Sequence, residues 1–154
     1  MNIKAKSNYR RTADFLAAGQ KQPGNSAHLS TQIGVHLEEM AEFLDELLIV
    51  GSSADNDSLV LCSTRIKGLA HRIKQGLTSV RITNRVRALD ALCDTEVTGN
   101  GVAFLAGFDK EEGDQRVLSS NESKLNADGT AVILPGGKIG KGPNYVKPHL
   151  EDLV

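Results

Sequence analysis

The sequence has no tryptophan, and all aromatic residues together make up only 4% of its 154 residues. Sandwich and barrel cores usually draw on aromatic side chains, so this composition favours packed helices built from Leu, Ile, Val and Ala. No apolar run approaches the ~20 residues that a membrane span needs. The polar, basic N-terminus also lacks the apolar segment of a secretory signal. We therefore expect an all-α protein of the cytoplasm with no membrane partner.

An excess of charge of one sign is also missing. Lys and Arg number 18 against 19 Asp and Glu, which gives a net charge of -1. The chain has no surplus of Lys and Arg to displace the counterions of nucleic-acid phosphates, so a nucleic-acid polymer is not an expected partner. The two cysteines, Cys62 and Cys93, are isolated and lie in apolar helical patterns. They make neither a disulfide framework nor a zinc site, so we predict reduced cysteines in the core.

The apolar periodicity predicts a bundle of four to five helices followed by a Gly- and Pro-rich tail. The chain length favours a single domain over residues 1–154, with a helical core at about 26–124 and an extended tail at 125–154. The predicted helices cover 8–18, 26–51, 59–77, 83–107 and 111–124, with a loop at 52–57 and one strand pair at 130–134. The buried stripes predicted for the second and third helices are Leu29, Ile33, Leu37, Met40, Leu44 and Leu48, and Leu59, Cys62, Ile66, Leu69, Ile73 and Leu77.

The second predicted helix carries five carboxylates on one face, within roughly a third of the helix circumference. No Lys or Arg lies between Leu37 and Leu48, so no pair within the helix relieves their repulsion. Two interpretations stay open: a solvated face, or a face neutralised by a bound cation or by a basic surface elsewhere. The five residues are Glu38, Glu39, Glu42, Asp45 and Glu46.

The fourth predicted helix places Asp90 and Asp94 on the same face as apolar residues such as Val86, Val97 and Phe104. An ionised carboxylate in an apolar stripe is costly without a partner, so the pattern predicts a cation, a hydrogen-bonded network or a shifted pKa. One alternative is a salt bridge to another helix. A cage of carboxylate oxygens without His or thiolate selects Mg²⁺ or Mn²⁺, and the lack of a Glu-x-x-His motif disfavours a di-iron site. The candidate bases for the salt bridge are Arg65, Arg72 and Arg81.

Several motifs follow one another in a fixed order. They read Leu-Glu-Glu-Met-Ala-Glu at 37–42, Asp-Ala-Leu-Cys-Asp at 90–94 and Gly-Val-Ala-Phe-Leu-Ala-Gly-Phe-Asp at 101–109. The tail adds Ser-Asn-Glu-Ser-Lys at 120–124 and Gly-Lys-Gly-Pro-Asn-Tyr at 140–145. This set, spanning roughly residues 29–150, resembles the all-α nucleoside triphosphate pyrophosphohydrolases, the superfamily of MazG, dimeric dUTPase and phosphoribosyl-ATP pyrophosphohydrolase.

The resemblance implies a catalytic and metal-binding role for the two acidic motifs. Glu39 and Glu42 would be Mg²⁺ ligands, with Glu38 as a supporting ligand or general base, and Asp94 would match the last acid of the second motif. The family often has an acid at the position of Ala91, whereas this chain offers Asp90, one residue away. A shift of one residue turns a side chain by ~100° around a helix, which favours coordination by Asp90 through water.

The resemblance also implies phosphate contacts from Asn121 and Lys124. Lys141 on the tail is a further candidate for a charge over the phosphates, and Gln32, two turns before Glu39, for the border of a base pocket. The expected activity is Mg²⁺-dependent hydrolysis of a nucleoside triphosphate, or of a nucleotide like phosphoribosyl-ATP, into the monophosphate and pyrophosphate. The expected assembly is a homodimer or homotetramer. A non-catalytic helical interaction module and a nucleotide sensor without turnover stay open as alternatives.

Overall fold

The computed structural model describes residues 5–134 and 137–154, and it confirms the all-α class. In the described residues the predicted strand pair amounts to two isolated antiparallel bridges, Leu125 with Ala131 and Ile133 with Ile139. Pro135 and Gly136, part of a predicted turn, lie outside the described residues. The helices are α1 (Asn8–Ala18), α2 (Ser26–Asp45), α3 (Ser53–Lys74), α4 (Arg85–Ala106) and α5 (Lys110–Glu122).

Side-chain caps set the starts of all five helices. In each case the residue before the helix accepts a hydrogen bond from a backbone N–H of the first turn, which satisfies a donor that has no partner inside the helix. The segment 52–57, predicted as a loop, is therefore mostly helical, because Ser52 accepts from the N–H of Asp55 and starts α3. Helix α2 ends at Asp45, earlier than the predicted Gly51. The caps are Ser7, Asn25, Ser52, Asn84 and Asp109.

The chain divides into two compact units. Residues Pro23–Arg81 form one unit, which contains α2 and α3 and is called the hairpin unit here. The described residues on either side of it form the second unit, with α1, α4, α5 and the C-terminal tail. The single domain expected from the chain length stays a prediction.

In the hairpin unit, α2 and α3 pack through small residues that let their backbones come close. Ser63 donates its hydroxyl to the carbonyl oxygen of Ala41 at 3.1 Å. A Cβ atom on Gly34 would lie 3.1 Å from the carbonyl oxygen of Ala70. These two contact points are seven residues apart on each helix, and all four residues are buried.

The predicted stripe of large apolar residues is therefore mostly wrong. Of its members only Ile73 is buried, while Met40, Leu48 and Leu77 are exposed. Because small residues occupy the line of closest approach, the larger side chains lie at its edges, where solvent reaches them. The prediction that Cys62 and Cys93 are core residues is wrong as well, since both are exposed free thiols.

In the second unit, α1 is attached to α5 by Arg11 and by a hydrogen bond from Gln115 to Asn8. The guanidinium of Arg11 donates to both carboxylate oxygens of Glu122, at 2.7 and 2.8 Å, and to Ser119 at 3.1 Å. The pKa of the Glu122 carboxyl is lowered, mainly because it accepts these hydrogen bonds from Arg11. This bidentate pair fixes the orientation of α1 on α5 more firmly than a single-point contact would.

The C-terminal tail runs along α5 and is bonded to it at several points. Ser120 donates to the carbonyl oxygen of Val146 at 2.7 Å, and Ser123 accepts from the N–H of Val146 at 2.8 Å. Further on, Arg116 donates to both carboxylate oxygens of Asp152, at 2.6 and 3.0 Å. The tail is thus extended but held in place.

Candidate nucleotide site

The acidic face of α2 has cations beside it, and α3 supplies them. Lys74 forms an ion pair with Glu38, and Lys67 forms one with Asp45, which also accepts a hydrogen bond from Ser63. The repulsion noted from the sequence is thus relieved in part within the hairpin unit. The two predicted metal ligands on this helix, Glu39 and Glu42, are both exposed.

Lys67 interacts electrostatically with carboxylates other than its hydrogen-bond partner Asp45. The pKa of Asp45 is lowered, mainly by the hydrogen bond from Lys67 and then by the one from Ser63. The pKa of Lys67 is raised, first by the hydrogen bond to Asp45 and also by the charges of Asp45, Glu42 and Glu38. The Lys67 ammonium is therefore within electrostatic reach of three carboxylates of the acidic face.

Asp90 and Asp94 are both exposed on α4. The prediction that they lie in a buried apolar stripe is wrong, because the stripe itself is exposed, with Val86, Phe104 and Leu105 each 80% or more accessible. Exposed carboxylates stay hydrated, so no burial cost has to be offset here. The argument that a partner cation is required by burial therefore does not hold for this pair.

The candidate ligands are carboxylates, whose oxygen atoms are suited to a hard divalent cation. Glu39 and Glu42 are three residues apart and so face the same side of α2, close enough to share one ion. Across residues 5–134 and 137–154, however, no group of three or more His, Cys, Asp or Glu side chains is assembled to hold a metal ion. The α2 acids belong to the hairpin unit and the α4 acids to the second unit.

Three of the four predicted substrate-binding residues lie in the second unit, and two of them, Asn121 and Lys124, are in direct contact. The Lys124 ammonium donates to the side-chain oxygen of Asn121 at 2.6 Å. The carbonyl oxygen of Lys124 accepts from the N–H of Gly142 at 3.1 Å, which brings the backbone next to Lys141 alongside it. A Cβ atom at position 142 would lie only 2.6 Å from that oxygen, so the contact requires glycine.

Two aromatic rings hold the lysines of this cluster. The Lys141 ammonium lies 4.4 Å from the centroid of the Tyr145 ring, and the Lys124 ammonium lies 6.0 Å from the centroid of the Phe15 ring. Cation–π contacts of this kind restrict a flexible lysine without removing its charge. We call Asn121, Lys124 and Lys141 the amide–lysine cluster. Gln32, the fourth predicted residue, is exposed on α2 in the hairpin unit and is not part of it.

A cleft of about 520 Å³ in the second unit contains none of the predicted site residues. It is bordered by the C-terminal half of α4 and the first turns of α5, with acidic, amide and aromatic side chains. Glu96, Asn100 and Phe104 line it from α4, and Asp114 and Gln115 from α5.

Sequence reasoning missed the roles of Lys67 and Lys74. It left open that a basic surface elsewhere neutralises the acidic face, but it did not identify these two lysines of α3 as that surface. The available signal was the spacing, because Glu38 and Asp45 are seven residues apart, as are Lys67 and Lys74. Matching spacings on two antiparallel helices predict two cross-helix pairs.

Comparison of the chain with protein-family models, with curated proteins and with solved structures gives no match. Among the described residues, none of the helices combines the length and the apolarity that spanning a bilayer requires. The candidate site therefore rests on its own residues and their contacts.

Proposed function

We propose that this chain is a Mg²⁺-dependent nucleotide pyrophosphohydrolase. It hydrolyses a nucleoside triphosphate, or a nucleotide like phosphoribosyl-ATP, between the α- and β-phosphates and releases the monophosphate and pyrophosphate. The observation that carries the proposal is the amide–lysine cluster. Asn121 and Lys124 belong to one motif and Lys141 to another, and a backbone hydrogen bond from Gly142 to Lys124 brings the two motifs together.

The cluster has the properties of a phosphate-binding group. Two ammonium groups and one amide, restricted by aromatic rings, offer hydrogen-bond donors and positive charge to oxyanions. The backbone hydrogen bond from Gly142 to Lys124 holds the segment that carries Lys141 beside Lys124 before any ligand binds. Such preorganisation reduces the entropy lost on binding.

In this proposal the two acidic motifs bind the divalent cation. The proposed ligands are Glu39 and Glu42 on α2 and Asp90 and Asp94 on α4. A bound divalent cation would screen the polyphosphate and lower the pKa of the attacking water. Glu38, which forms an ion pair with Lys74, is the proposed proton acceptor.

The proposed assembly is a homodimer or homotetramer in which another copy covers α4. Its support is the large apolar surface of this helix, which includes Val86, Leu89, Val97, Phe104 and Leu105. Several large apolar side chains exposed along one helix are uncommon on a soluble monomer and typical of an interface.

The experiment that tests the activity is a substrate panel. The protein is incubated with Mg²⁺ and with ribo- and deoxynucleoside triphosphates and phosphoribosyl-ATP, and both products are quantified. We expect equal amounts of monophosphate and pyrophosphate from at least one member. Diphosphate with inorganic phosphate would contradict the proposed bond, and no release from any member would contradict the activity.

Metal and nucleotide binding separate the two alternatives if there is no release. Binding of Mn²⁺ and of a nucleotide without turnover would favour a nucleotide sensor, whereas absence of both would favour an interaction module. Dependence of release on Mg²⁺ is checked by adding a chelator and then restoring the metal.

A further inference from the structure

One side of α4 has the residue spacing of a helix that pairs with another helix. Residues there follow one another at intervals of three, four, three and four positions, which places them on one side of the helix. Val86 is 80% exposed, Leu89 is 64% exposed and Cys93 is an exposed free thiol. This side is therefore open to a partner. We call it the α4 stripe, and it consists of Val86, Leu89, Cys93, Glu96 and Asn100.

The two halves of the stripe carry opposite charges. Arg85, the first residue of α4, stands beside Val86, while Glu96 belongs to the C-terminal half of the helix. The two charged residues are eleven positions apart, about three helical turns, so they lie on the same side of α4. Both are exposed, and in the part of the chain that the structure describes neither forms a salt bridge. Both charges are thus accessible to a partner of opposite sign.

Glu96 also lines the cleft between α4 and α5, and the lining of this cleft is acidic. The charged residues around it are Glu96, Asp109, Lys110, Glu111 and Asp114. The single lysine is already paired with Asp114, at 2.7 Å, which leaves three carboxylates. A negatively charged cleft attracts a cationic side chain, and a guanidinium group can also stack on the aromatic rings in the lining. The cleft therefore fits an arginine from a partner.

A second copy of α4 supplies such an arginine in one orientation only. In a parallel pair of α4 helices, Arg85 would lie beside Arg85 of the second copy and Glu96 beside Glu96, so like charges would repel. In an antiparallel pair about a twofold axis close to Ala91, Arg85 of each copy lies beside Glu96 of the other, and Leu89 beside Cys93. Because the axis is midway between the two charges, both ion pairs form together.

We propose that two copies of this chain associate through antiparallel α4 helices, with Arg85 of each copy entering the acidic cleft of the other and pairing with Glu96. The apolar part of the contact is formed by Val86, Leu89 and Cys93. This inference rests on the part of the proposed function in which another copy covers α4, and it is independent of the hydrolytic reaction. It adds the orientation of the copies, and it completes each cleft with a side chain from the other copy.

The test is charge reversal in the full-length protein, with the dissociation constant of self-association measured by sedimentation velocity over a range of concentrations. Arg85→Glu and Glu96→Arg each place like charges opposite one another at both ends of the contact. Each variant is expected to weaken association at least about tenfold. Arg85→Glu does not act by destabilising α4, because an acidic residue in the first turn of a helix is favourable.

Arg87→Glu is the matched control. It makes the same change of charge within the same turn of α4, but a step of two residues turns the side chain by ~200°, away from the α4 stripe. It is expected to change the dissociation constant less than about threefold, whereas a nonspecific effect of net charge predicts equal weakening by Arg85→Glu and Arg87→Glu.

An equimolar mixture of Arg85→Glu and Glu96→Arg tests the pairing between copies. In a mixed antiparallel pair both ends again bring opposite charges together, so the mixture should associate about as tightly as the wild type. A parallel pair has like charges at both ends in the wild type and in each variant, and therefore predicts no weakening by either substitution.

The outcomes separate this proposal from the proposed function. A wild-type protein that is monomeric at every concentration would overturn both this contact and the proposed assembly, while the substrate panel still decides the activity. If the wild type associates but Arg85→Glu behaves like Arg87→Glu, or the mixture stays as weak as its components, the antiparallel α4 contact is wrong and the proposed assembly uses another surface.

Discussion

Substituting Gly34 by alanine tests the close approach of α2 and α3. A methyl group there would lie 2.9 Å from Cγ of Lys74, 3.1 Å from the carbonyl oxygen of Ala70 and 3.2 Å from a methyl carbon of Ile73. Lys74 is flexible and can move, but the Ala70 carbonyl belongs to the α3 backbone. Relieving the crowding therefore requires the two helices to separate slightly, at a cost of about 1–3 kcal/mol.

Gly68 supplies the matched control. It lies inside α3, and a Cβ atom there would meet nothing within 4 Å. Both substitutions gain helix propensity of about 0.8–1 kcal/mol, since alanine loses less backbone entropy than glycine. Gly68→Ala should thus stabilise the hairpin unit by about that amount, and Gly34→Ala should be less stable than Gly68→Ala by about 1–3 kcal/mol.

The assay is urea unfolding of the full chain, followed by circular dichroism at 222 nm. The free energy of unfolding of each variant is compared with that of the wild type, and the comparison needs an unchanged m-value. If Gly34→Ala stabilises the protein as much as Gly68→Ala does, the helices are not in the close contact described here.

Three further predictions concern the second unit. Arg11→Met should lower the free energy of unfolding by about 1–2 kcal/mol at neutral pH. Because Arg11 lowers the pKa of Glu122, that contribution is present above the ordinary glutamate pKa and is lost as the pH falls through the lowered value. The difference in free energy of unfolding between the wild type and Arg11→Met should therefore shrink as the pH falls below the ordinary glutamate pKa, and a constant difference would contradict this reasoning. Ser120→Ala removes the donor to the Val146 carbonyl and should speed amide hydrogen exchange in residues 141–154 without affecting α2 and α3; equal exchange in variant and wild type would contradict it. Leu89→Glu should shift the sedimentation coefficient towards that of a monomer, and an unchanged coefficient, or a wild type that is already monomeric, would contradict the proposed α4 interface.

The helix class and the helix starts were largely predictable because they depend on local signals. Polar caps such as Asn84 and Asp109 stand directly before apolar or amphipathic segments, and both begin helices. The start of α3 was missed because its first turn is polar and shows no apolar period, although Ser52 is a good cap.

The core was not predictable from apolar periodicity. Periodicity reports which residues share a face, but it does not report how closely the facing helix approaches. At Ser63 and Ala70 that approach is so close that small residues form the contact and leucines remain at its edges. Small residues do recur seven positions apart on both helices. The leucines also recur at helical spacing, and they led to the prediction that large apolar residues form the contact.

The candidate site was predicted unevenly. The resemblance implied Asn121 and Lys124, and Lys141 was a separate candidate on the tail, whereas the contact through Gly142 and the support from Phe15 depend on tertiary packing. A basic surface beside the acidic face of α2 was one of the open interpretations, but its lysines could not be named because they belong to a different helix. The shared metal site of Glu39, Glu42, Asp90 and Asp94 stays a prediction.

The most direct test of the account is the rate of pyrophosphate release by Glu42→Gln and Asp94→Asn, measured with the best substrate of the panel. Both carboxylates are proposed metal ligands, so each substitution should reduce release at least about a hundredfold while leaving the helical circular dichroism intact. Glu46→Gln, which removes a neighbouring carboxylate outside the proposed ligand set, serves as the control and should retain nearly the wild-type rate. Wild-type rates of release in both Glu42→Gln and Asp94→Asn would contradict the claim that these two acidic motifs serve one reaction.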